Sequence, residues 1–173
     1  MRDDTKVSYI RIDQNTLHDF TSLGEGENIM LFTPAIPTLQ GSPEDVDPFE
    51  SFGIALSQYH KGVKHIPYLP SQGFTDYHDA FLPHASAVIL VLAEPDPRTS
   101  SSKESLKTQA KYLKNFTPKI IAKDVPAILI IISESTSKTK IKGGGFGVVI
   151  SATDYGKEQL QRLAAAIFEH EGM

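Results

Sequence analysis

Three short apolar runs, Ile29–Phe32, Ala87–Ala93 and Ala127–Ser133, punctuate this chain, and segments with helical periodicity separate them. They are rich in β-branched residues and show no polar alternation, the pattern of strands buried on both faces. Strands of that kind belong to parallel sheets covered by helices on each side, so the runs confine the chain to the α/β class.

The remaining elements fall between these runs. Val7–Ile12 mixes polar and apolar residues on both faces, which suits an edge strand opening the fold over about residues 7–12. A polar stretch ending in Leu23–Gly24–Glu25–Gly26 leads into a strand over Asn28–Thr33, which Pro34 and Pro37 stop because proline has no amide hydrogen to donate. Gly41–Val46 reads as a loop. A helix then starts with Asp47 as N-cap, Pro48 at the first helical position and Glu50 at the third. Its stripe is Phe49, Phe52, Leu56 and Tyr59, and Gly62 ends it. Val63–Tyr68 is the next strand. Thr75 caps a short helix that turns Tyr77, Ala80 and Phe81 inward before Pro83 closes it.

Farther on, Ser101 and Glu104 have capping-box spacing ahead of a helix with Leu106, Ala110, Leu113 and Phe116 on its core face. Lys103, Lys107, Lys111 and Lys114 take the opposite face, and Pro118 ends the pattern. After the third run, Glu134–Gly147 is a long polar and glycine-rich connection and Val148–Ile150 a short last strand. The closing helix, about residues 154–169, is amphipathic through Leu160, Leu163, Ala164 and Ile167. Five or six strands alternating with four good helices predict a three-layer αβα sandwich. Its sheet is mainly parallel and five- to six-stranded, flavodoxin-like or Rossmann-like in class.

The 173 residues suffice for one domain with a full core and are too few for two, so 1–173 is read as a single unit. A net charge of −4 leaves no clustered basic excess for a phosphate backbone, and no nucleic acid is expected as a partner. The absence of cysteine excludes disulfides, thiolate chemistry and cysteine-based zinc sites. No stretch of about 18 uninterrupted apolar residues occurs, and Met1–Asp4 opens no signal peptide. The expectation is a soluble cytoplasmic chain without a membrane partner.

Ligands of open parallel sheets bind outside the carboxyl ends of the strands, so the loops that begin at Thr33, Leu69, Glu94 and Ser133 are the places to look. Asp76–Tyr77–His78–Asp79 gathers two carboxylates and an imidazole suited to acid–base work, although Asp76 and Asp79 equally suit the first turn of a helix. Lys138–Lys142 followed by Gly143–Gly147 has the composition of a phosphate cradle in the wrong order, since a phosphate loop places its lysine after the glycines and at a helix start. The histidines at 18, 60, 65, 78, 84 and 170 show no metal-ligand pairing, so no metal or cofactor is expected. Ser71, Ser133 and Ser151 sit in no GxSxG elbow. No catalytic residue is nominated, and the candidate ligand or interface residues are Gly73, Thr75, Asp76, His78, Glu94 and Glu134.

Taken in order, these segments resemble the C-terminal αβα domain of family 3 glycoside hydrolases, in particular the β-N-acetylglucosaminidase branch. Val7–Arg11 looks like that domain's opening strand and Asn28–Pro34 like its first apolar strand. Asp47–Phe52 with Leu56, Val63–Tyr68, Gly73–Phe74–Thr75 and Ala87–Leu92 are similar in order and spacing to the domain's middle segments. Ala127–Ser133 and Tyr155–Phe168 look like its closing strand and helix. The resemblance implies that a (β/α)8 barrel supplies the nucleophilic aspartate and, in this branch, a histidine general acid/base in a Lys-His-Phe-Pro-Gly type motif. This chain holds neither barrel nor motif. A retaining glycosidase needs its two groups about 5 Å apart, and no such pair stands out. In the β-glucosidase branch a loop of the second domain lends an acid, which makes Glu94 and Glu134 the positions to inspect.

The resulting expectation is a non-catalytic domain, inactive alone, that packs beside a barrel of the same or another chain and borders its carbohydrate site. Isolated, its uncovered apolar face leads to self-association. A stand-alone flavodoxin-like module for small-ligand binding or regulation, using the loops at Pro34, Pro70 and Glu94, is the second reading. A small hydrolase or transferase working through Asp76 and His78 is the third.

Overall fold

The computed structural model describes residues 7–41, 46–98, 105–134, 141 and 143–169. Six strands are present among them: β1 (Ser8–Arg11), β2 (Ile29–Pro34), β3 (Val63–Tyr68), β4 (Ala87–Ala93), β5 (Ala127–Ile132) and β6 (Val148–Ala152). The helices are α1 (Gln14–Thr21), α2 (Glu50–Ser57), α3 (Asp76–Asp79), α4 (Leu106–Lys123) and α5 (Lys157–Phe168), with a 3-10 turn at Leu82–His84. The strands form one sheet in the order β1-β6-β5-β4-β2-β3, parallel throughout except for β1 against β6.

Alternation along β4 shows why the apolar runs lack polar positions. Ile89, Val91 and Ala93 join a core with Leu17 and Phe20 of α1, Phe52 and Leu56 of α2, and Leu160 and Leu163 of α5. Val88, Leu90 and Leu92 join the opposite core with Leu113, Phe116 and Ile120 of α4. Both faces are covered, giving the three-layer αβα sandwich that the sequence predicts.

Local departures from the sequence reading have identifiable causes. The stretch before Leu23, read as polar connection, contains α1: Asp13 Oδ1 accepts from the Asn15 amide at 3.3 Å, and Leu17 and Phe20 supply a buried face. Asp47 accepts from the Phe49 amide at 2.9 Å, but this makes a turn ahead of α2, which begins only at Glu50. Tyr59 lies past the end of α2 and is 40% exposed, unlike the buried Phe49, Phe52 and Leu56 of the same stripe. Gly62 is required by a close approach, because a Cβ there would lie 2.3 Å from the Glu27 carbonyl oxygen.

Tyr77 and Ala80 of the short-helix segment face water, and His78 and Leu82 turn inward in their place. Pro118 does not end α4, which runs on to Lys123 and stops at Asp124 in the left-handed region with φ 53°. The Thr117 hydroxyl donates to the Leu113 carbonyl at 2.8 Å beside the proline, and Ile120 keeps the following turn packed on the core. Ser105 caps α4; the Ser101–Glu104 pair and most of Lys138–Lys142 lie outside the described residues. Asp154 stands ahead of α5, accepting from the Gly156 amide at 2.8 Å, and the helix starts at Lys157.

Candidate functional site

Because β4, β5 and β6 run parallel, their carboxyl ends deliver three loops to one edge of the sheet, where the connection after β2 joins them. Together they enclose an open cleft of about 780 Å³, lined among others by Gln40, Glu94, Arg98, Ser133, Glu134 and Asp154. The two acids that the sequence reading placed at strand ends, Glu94 and Glu134, are thus brought to one cleft, and both are exposed. Ser133, the residue before Glu134, is buried, which keeps its hydroxyl away from solvent.

The cleft is braced by Asp96, a residue that sequence reasoning missed. Its carboxylate accepts from the Gln40 amide at 3.0 Å and from the Arg98 amide and Nε, both at 3.0 Å. The Asp96 amide donates at 3.0 Å to the Tyr155 hydroxyl, which donates in turn to the Pro37 carbonyl at 3.0 Å. The stretches of chain that follow β2, β4 and β6 are tied in this way at one buried point. The Arg98 hydrogen bond and then the Gln40 amide hold the Asp96 carboxyl down at about 2. Burial raises the Tyr155 hydroxyl, so it stays protonated and able to donate. A carboxylate held this firmly positions the loops and is not available for proton transfer.

The other candidates lie elsewhere. Gly73, Thr75, Asp76 and His78 follow β3 and do not line the cleft. Gly73 takes φ +70° in the turn that leads to α3, and Asp76 is exposed in the first turn of that helix. His78 is buried, and both ring nitrogens are committed. Nδ1 accepts from the Thr75 amide at 3.1 Å, so Nε2 carries the proton and donates to the Pro67 carbonyl at 3.2 Å. Its ring packs against Phe32, Phe74 and Tyr112. In this geometry His78 holds a helix start to the end of β3, and neither nitrogen is free to face a substrate.

Nearer α2, His65 Nε2 lies 2.7 Å from the Thr33 hydroxyl and 3.8 Å from Asp47. Burial lowers its pKa against the opposing pull of Asp47 and Glu50. Among the described residues no group of three or more histidines and acids could hold a metal ion, and no described helix is long and apolar enough to cross a membrane.

No protein-family model matches the chain, and no curated relative is similar to it in sequence. Solved structures do match. A multi-domain fungal GH3 β-N-acetylglucosaminidase superimposes with a TM-score of 0.66 at 13% identity, over 96% of this chain and 17% of its own. The β-glucosidase of Listeria innocua in complex with isofagomine gives 0.64 at 12%, over 95% of this chain and 24% of its own. A glycoside hydrolase family 3 β-N-acetylglucosaminidase from Paenibacillus sp. str. FPU-7 gives 0.60 at 12%, over 94% and 28%. The chain therefore spans no more than 28% of these proteins' length, and what it shares with that part of each is the αβα fold.

Proposed function

We propose that this chain is the non-catalytic αβα domain of a family 3-type glycoside hydrolase, packed against a (β/α)8 barrel that acts on β-N-acetylglucosaminides. The observation that carries the reading is the match of 94–96% of the chain to only a fraction of larger sugar-acting enzymes, two of them named β-N-acetylglucosaminidases. Two surface features support it. The cleft presents Glu94 and Glu134 to solvent at the carboxyl edge, as the proposed role of loop acids beside a barrel's carbohydrate site requires. Beside it, a groove of about 360 Å³ between α2 and α5 leaves Val46 and Ile54 45% and 59% exposed, apolar area of the kind a partner covers.

The test is hydrolysis of 4-nitrophenyl N-acetyl-β-glucosaminide by the chain, by a separately expressed family 3 barrel and by the mixture. The expected result is no turnover by the chain, and a higher kcat/KM for the mixture than for the barrel alone. Glu94→Gln with Glu134→Gln should diminish that gain while sedimentation still shows the complex. Turnover by the isolated chain, lost in His78→Ala, would replace this reading with that of an independent hydrolase. The cleft volume also lies within the range of small-molecule sites, and a ligand retained through purification, seen by native mass spectrometry, would favour a stand-alone binding module.

A further inference from the structure

Beyond the pair Phe32–Leu90, β2 and β4 part company. β2 stays with β3 through Thr33–Pro67 and Pro34–Tyr68, while β4 stays with β5 through Ala93–Ile132. The strand order reverses here, since β3 lies outward of β2 and the chain then returns to β4 on the other side of β2. Open α/β sheets hold their ligands in the crevice at such a switch point.

In this protein the crevice is filled by the chain itself. The amides of Val88 and Glu94 bond to the Pro126 and Ile132 carbonyls on the β5 side, so the alternate residues Val91 and Ala93 turn their backbone groups toward β2. Past Leu90 β2 no longer pairs with β4 to receive them, and side chains take its place. The Tyr68 hydroxyl donates to the Val91 carbonyl at 2.7 Å. The Gln109 carboxamide accepts from the Ala93 amide and donates to the Ala93 carbonyl, each at 2.7 Å. Gln109 is fully buried, and three residues on Tyr112 lays its ring on that of Tyr68, with centroids 4.1 Å apart and planes within 8°. Among the described residues the Tyr112 hydroxyl, buried in the same aromatic cluster, has no hydrogen-bond partner.

We infer that the switch-point crevice is a binding site closed from within. Gln109 supplies the amide that a ligand bearing a primary carboxamide would present to Ala93, and the stacked Tyr68 and Tyr112 form its wall. The amide meets both polar groups of one residue, as a bound ligand or an added strand would, while the wall retains a hydroxyl that the plug leaves unsatisfied. This closure also leaves the neighbouring cleft over β4, β5 and β6 as the open concavity of the carboxyl edge. The inference does not depend on the glycosidase-domain reading.

Gln109→Ala removes the carboxamide, and acetamide is the fragment removed. Acetamide should raise the melting temperature of the Gln109→Ala chain saturably and leave the unsubstituted chain unmoved. Acetone, of similar shape but without N–H donors, should raise the melting temperature of neither chain. Equal responses of both chains to acetamide, or none in either, would overturn the inference. If Gln109→Ala does not fold, Gln109→Ser serves instead, since it also empties the buried position, and it is read by the same comparisons of acetamide with acetone and of the variant with the unsubstituted chain.

Discussion

A buried carboxylate persists only where donors replace the water it lost, and Asp96 has three such donors from Gln40 and Arg98. With its native pKa held at about 2, below the ordinary value, it contributes stability above about pH 4 that is lost as pH falls through about 2. Asp96→Asn should cost about 1–2 kcal/mol at neutral pH, discounted because the Arg98 side chain is 67% exposed and screened. Thermal melts should show the gap between the two chains closing between about pH 4 and pH 2, and a gap that persists at pH 2 would refute the account. Asp96 escaped sequence reasoning because its partners Gln40 and Tyr155 lie 56 and 59 residues away. The placement of Glu94 and Glu134 at the carboxyl edge was legible because each follows a recognisable strand. Gln109 did leave a signal, a lone amide on the buried face of an otherwise apolar helix stripe.

At the scale of elements, strands announced themselves better than helices, since a doubly buried strand needs an uninterrupted apolar run. Helix α1 has only eight residues, and its burial rests on Thr16, Leu17 and Phe20. Helix α4 passes through Pro118 because tertiary packing outweighs a local breaker. The free edge of β3 shows a different economy. Ile29 and Ala35 donate to the Gly62 and Tyr68 carbonyls, so Val63, His65 and Pro67 face outward. Pro67 offers no N–H there, and His78 occupies its carbonyl, which denies an incoming strand both groups at one position. Pro67→Thr combined with His78→Ala should restore both and produce concentration-dependent association in size-exclusion chromatography, with each single change weaker. A double variant that associates no more than the unsubstituted chain would remove His78 from this role.

Across the whole molecule, protection should follow position in the sheet. Amides of β4 and β5, flanked by strands and covered on both faces, should exchange only with global unfolding. Those of β1 at one edge and of α3 over the other should exchange by local opening, orders of magnitude sooner; uniform protection factors by NMR would contradict that hierarchy. Charge is also divided by element, for α4 carries lysines and no acid inside a chain of net charge −4, and the cleft at the carboxyl edge gathers acids. The layered class was readable because it follows from local patterning, whereas the cleft's geometry depends on which loops the strand order brings together. That strand order has a consequence for biosynthesis. Ser8 of β1 pairs with Ser151 of β6, so the strand of this sheet that is made first is among the last to be placed. At ribosomal rates of about 5–20 residues per second, a nascent chain carries β1 unpaired for about 7–28 seconds before β6 is made, and β5 with one open side for only about 1–4 seconds. That interval is when a chaperone has most to hold.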